Sequence, residues 1–243
     1  EVDSARAAGH AALHWEVLRW GGVAYVNGEP VGRSAHWGPA TLTIPPGILR
    51  SGKNEILLKV RTWDALQRGG TLGWPLVAAG SAVFSWGGTH SMLPGRIAVE
   101  FYDTFRIRSA IALPDPAASR LRLVVRLDSP APLPDSVTLT ATVRRSTGDA
   151  PVVGTATERF EPPQDSRAQL TLTVPLEDFA WWTPESPHLT HATVSVTCER
   201  QTRTRDITFG MRSFEVRDGS FYLNGKRRAL LGSNMVTEWL WED

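Results

Sequence analysis

The chain has 243 residues, of which 42% are hydrophobic and 21% charged, and its formal net charge is +1. That balance suits one large or two ordinary globular domains and lacks the electrostatic footprint that nucleic acid or an anionic membrane surface requires. The single cysteine, Cys198, excludes an intrachain disulfide framework and a cysteine-based zinc site, and the longest weakly polar run, 73–86, is too short for the about 20 apolar residues of a membrane helix.

From the N-terminus, Trp15-Glu-Val-Leu-Arg-Trp20 lies beside strand-like sequence and places Trp15 and Trp20 in a core. Asn27-Gly28, between Val23-Ala-Tyr-Val26 and Val31, is a hairpin signal, because a two-residue type I′ turn needs positive φ at both central positions. Glu55-Ile-Leu-Leu-Lys-Val60 alternates with period two, as a half-buried strand does. The stretch 62–94 is richer in Trp and Gly and less regular, and regular alternation resumes near Asp103–Ile107, which sets the expected end of a first domain at residue 104.

Residues 105–216 then carry about seven strand candidates, among them Leu121–Leu127, Val137–Val143 and Gln169–Val174. Turn signals separate them at Pro114-Asp-Pro116, Thr147-Gly-Asp149 and Pro162-Pro-Gln-Asp165. The count suits an immunoglobulin-like sandwich without its cysteine pair. Cys198 ends the alternating run from Thr193 and reads as a core thiol. His188 and His191 lack a cysteine or carboxylate partner at ligand spacing, so neither a metal nor another cofactor is expected.

Three motifs close the chain in order: Trp182-Thr-Pro-Glu-Ser-Pro-His-Leu189, Phe209-Gly-Met-Arg-Ser-Phe-Glu-Val216, and Phe221-Tyr-Leu-Asn-Gly-Lys226 followed by Leu231-Gly-Ser-Asn234. Together they resemble the junction of glycoside hydrolase family 2, where an immunoglobulin-like sandwich ends and a catalytic (β/α)8 barrel begins. Earlier in the chain, Tyr25-Val-Asn-Gly-Glu-Pro-Val-Gly32, Gly38-Pro39 and Leu49-Arg-Ser-Gly-Lys-Asn-Glu-Ile56 look like that family's sugar-binding jelly-roll domain. The resemblance implies an all-β chain: a jelly-roll β-sandwich over 1–104, an immunoglobulin-like β-sandwich over 105–216, and a truncated start of the barrel over 217–243. Only 14 residues precede Trp15, fewer than the family's first domain usually has, so that jelly roll is expected either to be N-terminally incomplete and lack an edge or to draw that edge from another segment.

Retaining glycoside hydrolysis needs two carboxyl groups about 5–5.5 Å apart, and nothing in this sequence matches the family motifs that carry them. The resemblance therefore implies the non-catalytic β domains of a glycosidase, with no catalytic residue in the chain itself. Arg212, in Gly210-Met-Arg-Ser213, matches the family's Gly-x-Arg element and is expected to pin the sandwich to the barrel rather than to touch substrate.

Ten tryptophans is a high count, and sugars present CH faces that stack on indole rings. Trp63, Asp64 and Trp86 lie in loops that the family sends toward the barrel mouth, which makes them the candidates for reaching a glycan; Trp181 and Trp182 read instead as a structural corner. Glu238 and Glu242 are spaced i, i+4 and read most simply as a solvated face. The alternative puts Asn234 and Glu238 at the barrel mouth, lining the sugar pocket without cleaving the bond.

The expected partners are a carbohydrate and a catalytic barrel in the same or an associated chain. A barrel's first strand left unpaired would present a bare edge to water, which predicts association, a homo-oligomer being one form of it, or disorder. Two other readings stay open: a free-standing carbohydrate-binding module, and an adhesion or structural sandwich.

Overall fold

The structure is a computed structural model, and it describes residues 1–18, 21–34, 38–60, 95–134, 136–163 and 165–232. The chain is all-β apart from one five-residue helix and one 3-10 turn among those residues. It divides into two compact units, which part between Asp103 and Thr104.

The first unit opens with α1 (Ser4–Ala8), whose N-cap Asp3 accepts a hydrogen bond from the Arg6 backbone N–H at 2.8 Å. Six strands follow: β1 (His10–Leu18), β2 (Gly22–Val26), β3 (Glu29–Ser34), β4 (Gly38–Ile44), β5 (Ile56–Val60) and β6 (Ile97–Tyr102). They form two antiparallel three-stranded sheets, ordered β4-β1-β6 and β3-β2-β5. Alternate residues of β1 and β2 point into one shared core, where Leu13, Trp15, Leu18, Ala24, Val26 and Ile44 are all almost wholly buried. Trp15 is thus a core residue, as its place beside strand sequence implies.

The second unit holds seven strands in a sandwich: β7 (Arg106–Asp115), β8 (Arg120–Asp128), β9 (Val137–Arg144), β10 (Val152–Phe160), β11 (Arg167–Pro175), β12 (Thr190–Cys198) and β13 (Gln201–Phe209). One sheet is ordered β11-β8-β7 and the other β10-β9-β12-β13. Taken in chain order, these are the first, second and fifth strands against the third, fourth, sixth and seventh, with the fourth strand on the sheet of the third.

Burial alternates without a break along β9, β11 and β12, because each strand has one face on the core and one in water. Leu121, Leu123, Leu139, Leu172, Val194 and Val196 interdigitate between the sheets, each worth about 1.5–3 kcal/mol of transfer free energy. Cys198 is wholly buried in this core as a free thiol. Burial, and after it the carboxylate of Glu199, pushes that thiol above its ordinary value.

Three short strands complete the unit: β14 (Phe214–Arg217), β15 (Ser220–Leu223) and β16 (Lys226–Arg228), an antiparallel meander. Its two turns, Asp218-Gly219 and Asn224-Gly225, have positive φ at both central positions, as does Asn27-Gly28 between β2 and β3. All three are therefore type I′ hairpins. Asp218-Gly219 carries the same turn chemistry as the two Asn-Gly pairs and is equally readable from sequence.

Candidate functional site

The five residues expected to reach substrate, Trp63, Asp64, Trp86, Asn234 and Glu238, lie outside the described residues. What the structure builds in detail is the corner where the second sandwich passes into the meander, and this corner gathers all three motifs of the C-terminal third.

Trp181 forms a parallel bridge with Met211, and the Trp182 N–H donates to the Met211 carbonyl at 2.9 Å. Met211 itself is fully buried in the sandwich core, so the bridge ties the Trp-Trp pair to that core. The Trp182 ring then lies so close to Gly210 that a Cβ there would meet the indole Cγ at 2.6 Å. Glycine is required for that approach rather than for any unusual backbone angle. The Arg212 guanidinium carbon sits 4.4 Å from the centroid of the same ring, a cation–π contact. The arginine of the Gly-x-Arg element thus has an aromatic partner inside its own unit.

Beyond Trp182 the chain turns tightly. Thr183 and Ser186 exchange backbone hydrogen bonds at 3.1 and 3.2 Å, and the Thr183 hydroxyl accepts a further bond from the Ser186 N–H at 3.0 Å. Glu185, at the tip, pairs with Arg228 of β16 at 2.9 Å. A backbone hydrogen bond at Glu185, supported by Arg228 and Thr183, holds its carboxyl below the usual carboxylate value.

Asn224 closes the corner. Its backbone N–H donates to the Ser213 carbonyl at 3.0 Å, its Oδ1 accepts from the Ser213 N–H at 3.0 Å, and its Nδ2 donates to the Trp182 carbonyl at 2.9 Å. A turn residue thereby binds the Trp182 corner and the Ser213 approach to the meander at once. The Asn-Gly pair announces the turn in the sequence, but its long-range partners have no local signal.

The two faces of the meander differ. Cross-strand register places Glu215, Arg217 and Tyr222 on one face, where Glu215 and Arg217 pair at 3.4 Å and the Arg217 guanidinium lies 4.1 Å from the Tyr222 centroid. Phe214, Val216 and Phe221 share the other face, with the two phenyl rings stacked at 5.7 Å. These three side chains stay open to solvent, 64% in the case of Val216, and Leu231, just past β16, is 96% exposed. Exposed large apolar groups clustered in this way are uncommon on the surface of an isolated soluble domain.

No protein-family model and no curated protein sequence matches this chain. Solved structures do. A β-glucuronidase of glycoside hydrolase family 2 superposes over 93% of this chain and 25% of its own, with a TM-score of 0.72 at 15% identity. The fold is that of the β-sandwich domains of family 2 glycosidases. A putative β-galactosidase from Bacteroides fragilis gives a TM-score of 0.70 at 16% identity, over 93% of this chain and 34% of that one. A β-D-mannosidase from Dictyoglomus thermophilum gives 0.70 at 14%, over 93% and 31%. The chain therefore spans about a quarter to a third of the length of the enzymes it superposes on.

Proposed function

We propose that this chain is the non-catalytic β-sandwich portion of a family 2 glycoside hydrolase that cleaves terminal O-glycosidic bonds by a two-glutamate retaining mechanism, with both glutamates outside the chain. The observation that carries this reading is the apolar face of Phe214, Val216 and Phe221 at the end of the second sandwich, at the place in the sequence where the family's barrel would begin. A covering barrel would bury this face and convert its exposed area into docking free energy. The clamp of Asn224 on Trp182 and Ser213 would hold the meander at a fixed angle to the sandwich, so that the docked barrel is held too.

In this reading the substrate is a carbohydrate. Trp63, Asp64 and Trp86 reach toward a terminal sugar from the first domain, and Asn234 and Glu238 line the pocket at the barrel mouth. The residues assigned to 217–243 would begin the barrel, with the meander as its entry.

Two measurements test the proposal. The purified 243-residue chain should hydrolyse none of the nitrophenyl β-galactoside, β-glucuronide and β-mannoside substrates; robust turnover of any of them would place catalytic carboxyls inside this chain and overturn the reading. The protein isolated from its native source, weighed under denaturing conditions, should exceed this chain by a barrel's worth of residues, about 250. A native mass equal to that of 243 residues would leave no room for the glutamates and would also overturn it.

A further inference from the structure

Glycine follows an asparagine or an aspartate at three places in the chain: Asn27-Gly28, Asp218-Gly219 and Asn224-Gly225. Such pairs are where a polypeptide rearranges without an enzyme, because glycine has no side chain to shield its backbone nitrogen from the carbonyl carbon of the preceding side chain. All three pairs here turn a two-residue type I′ hairpin, with φ of 51°, 47° and 51° at the first residue. They share a turn type, so what distinguishes them is the hold on the side chain.

That hold differs with place in the sheet. Asn27 is half-buried; its Oδ1 accepts from the Glu55 N–H at 3.0 Å, and its Nδ2 donates to the Ile48 carbonyl at 2.8 Å and to Asn54 Oδ1 at 2.7 Å. Asn224, also half-buried, is tied at both ends of its amide, to the Ser213 N–H at 3.0 Å and to the Trp182 carbonyl at 2.9 Å. Both follow central strands, β2 and β15, and each takes its Oδ1 bond from the third strand of the sheet or the residue leading into it. Asp218 follows β14, an edge of its sheet among the described residues, so no third strand lies within its reach. It is exposed, and its carboxyl has no hydrogen bond or ion pair among the described residues.

In the rearrangement the glycine nitrogen attacks Cγ of the preceding side chain. An N–Cγ bond forms and the bond from Cγ to its leaving group breaks: an aspartic acid loses water and an asparagine loses ammonia, the glycine amide proton departing with either. The five-membered ring so formed takes up one water. Opening at Cγ gives aspartate, and opening at the α carbonyl gives isoaspartate, in which the chain runs through Cγ. Water is the only co-reactant. To close the ring the side chain has to swing over the glycine nitrogen, which breaks three side-chain bonds at Asn27, two at Asn224 and none at Asp218.

We infer that Asp218-Gly219 is the pair that the fold leaves open to spontaneous isomerisation, and that the side-chain clamps on Asn27 and Asn224 hold the other two pairs closed. Isoaspartate adds one carbon to the backbone of a two-residue turn, which breaks the pairing of Arg217 with Ser220 and disturbs the hairpin that carries the Phe214–Phe221 stack. The inference uses the turns alone and does not rest on the proposed function.

The test compares each site's rate of modification in the folded 243-residue chain with its rate in urea at the same neutral pH. Peptide mapping with fragmentation that separates isoaspartate from aspartate reads both. The ratio of urea rate to folded rate should be at least about tenfold larger at Asn27 and at Asn224 than at Asp218, as two net hydrogen bonds imply. Asp218→Asn keeps the turn chemistry and puts an unclamped Asn-Gly pair in the same meander as Asn224. In that folded variant position 218 should lose its amide at least about tenfold faster than Asn224. The inference is overturned if the ratio at Asn27 or at Asn224 is no larger than that at Asp218, or if position 218 of the variant reacts no faster than Asn224. Either result would mean that turn geometry, which all three pairs share, governs the reaction. None of these outcomes bears on nitrophenyl glycoside turnover or native mass.

Discussion

Asn27 and Asn224 solve the same problem in the two units with the same atoms. Each sits at the end of a central strand whose backbone has just turned left-handed, with φ of 51° in both. Each donates its N–H to the carbonyl of the neighbouring strand's next residue, Glu55 or Ser213, and returns the missing acceptor from its own Oδ1 at 3.0 Å. The ladder is thus extended by one pair with a side-chain oxygen in place of the turned-away carbonyl. Nδ2 is then free to bind a distant loop: Ile48 and Asn54 for Asn27, Trp182 for Asn224. Replacing either by glycine keeps the left-handed angle and deletes only these bonds. Asn224→Gly is expected to cost about 2 kcal/mol, and Asn27→Gly somewhat more because a third side-chain bond is lost. Urea unfolding of the two variants checks this, and midpoints equal to the parent's would mean that turn geometry alone matters. The turn could be read from Asn-Gly; the clamp could not, since its partners lie 11 to 42 residues away.

At the scale of elements, sequence legibility followed burial. The strands buried on one face throughout, β8, β9, β11 and β12, alternate so regularly that period two marks them. The edges of the four-stranded sheet, β10 and β13, bury few residues and show a weak pattern, because an edge strand with little core to cover is under little pressure to alternate. The meander is a third case. Phe214, Val216 and Phe221 alternate as a core face would, yet no described element covers them. Alternation in a sequence reports a face made for burial, and the covering partner must be sought separately. In the isolated chain that face should drive self-association. Val216→Lys, at a position 64% exposed, is expected to reduce association across a concentration series in sedimentation velocity and to change unfolding free energy by under about 0.5 kcal/mol. Unchanged association would show that the apolar face is not the surface that meets a partner. The glycan contacts proposed in 62–94 and beyond 232 rest on the family resemblance alone, since neither stretch of sequence carries a regular period.

The whole molecule has two cores, and this has a consequence for folding. In the second unit every strand of both sheets finds its ladder partners between Arg106 and Phe209, and the buried cluster runs from Phe105 to Met211 without borrowing a residue from the first unit. Its leading end is also secured internally: the Gln201 side-chain oxygen accepts from the N–H groups of both Thr104 and Phe105, at 2.9 and 3.4 Å, so the first strand is anchored to the β12–β13 turn region. The ion pair of Arg106 with Asp128 at 2.6 Å adds a second tie at the same edge. A span of roughly 130 residues buries enough surface to fold alone. The polypeptide 104–232 is therefore expected to give a dispersed amide spectrum and one cooperative thermal transition, with coincident near- and far-ultraviolet circular dichroism. Its contacts are mostly non-local, so refolding should occur in milliseconds to seconds rather than microseconds. A collapsed spectrum without near-ultraviolet signal would mean that the sandwich needs covalent continuity with the first unit. Full folding would make the second sandwich an independent platform on which the meander face can be tested separately.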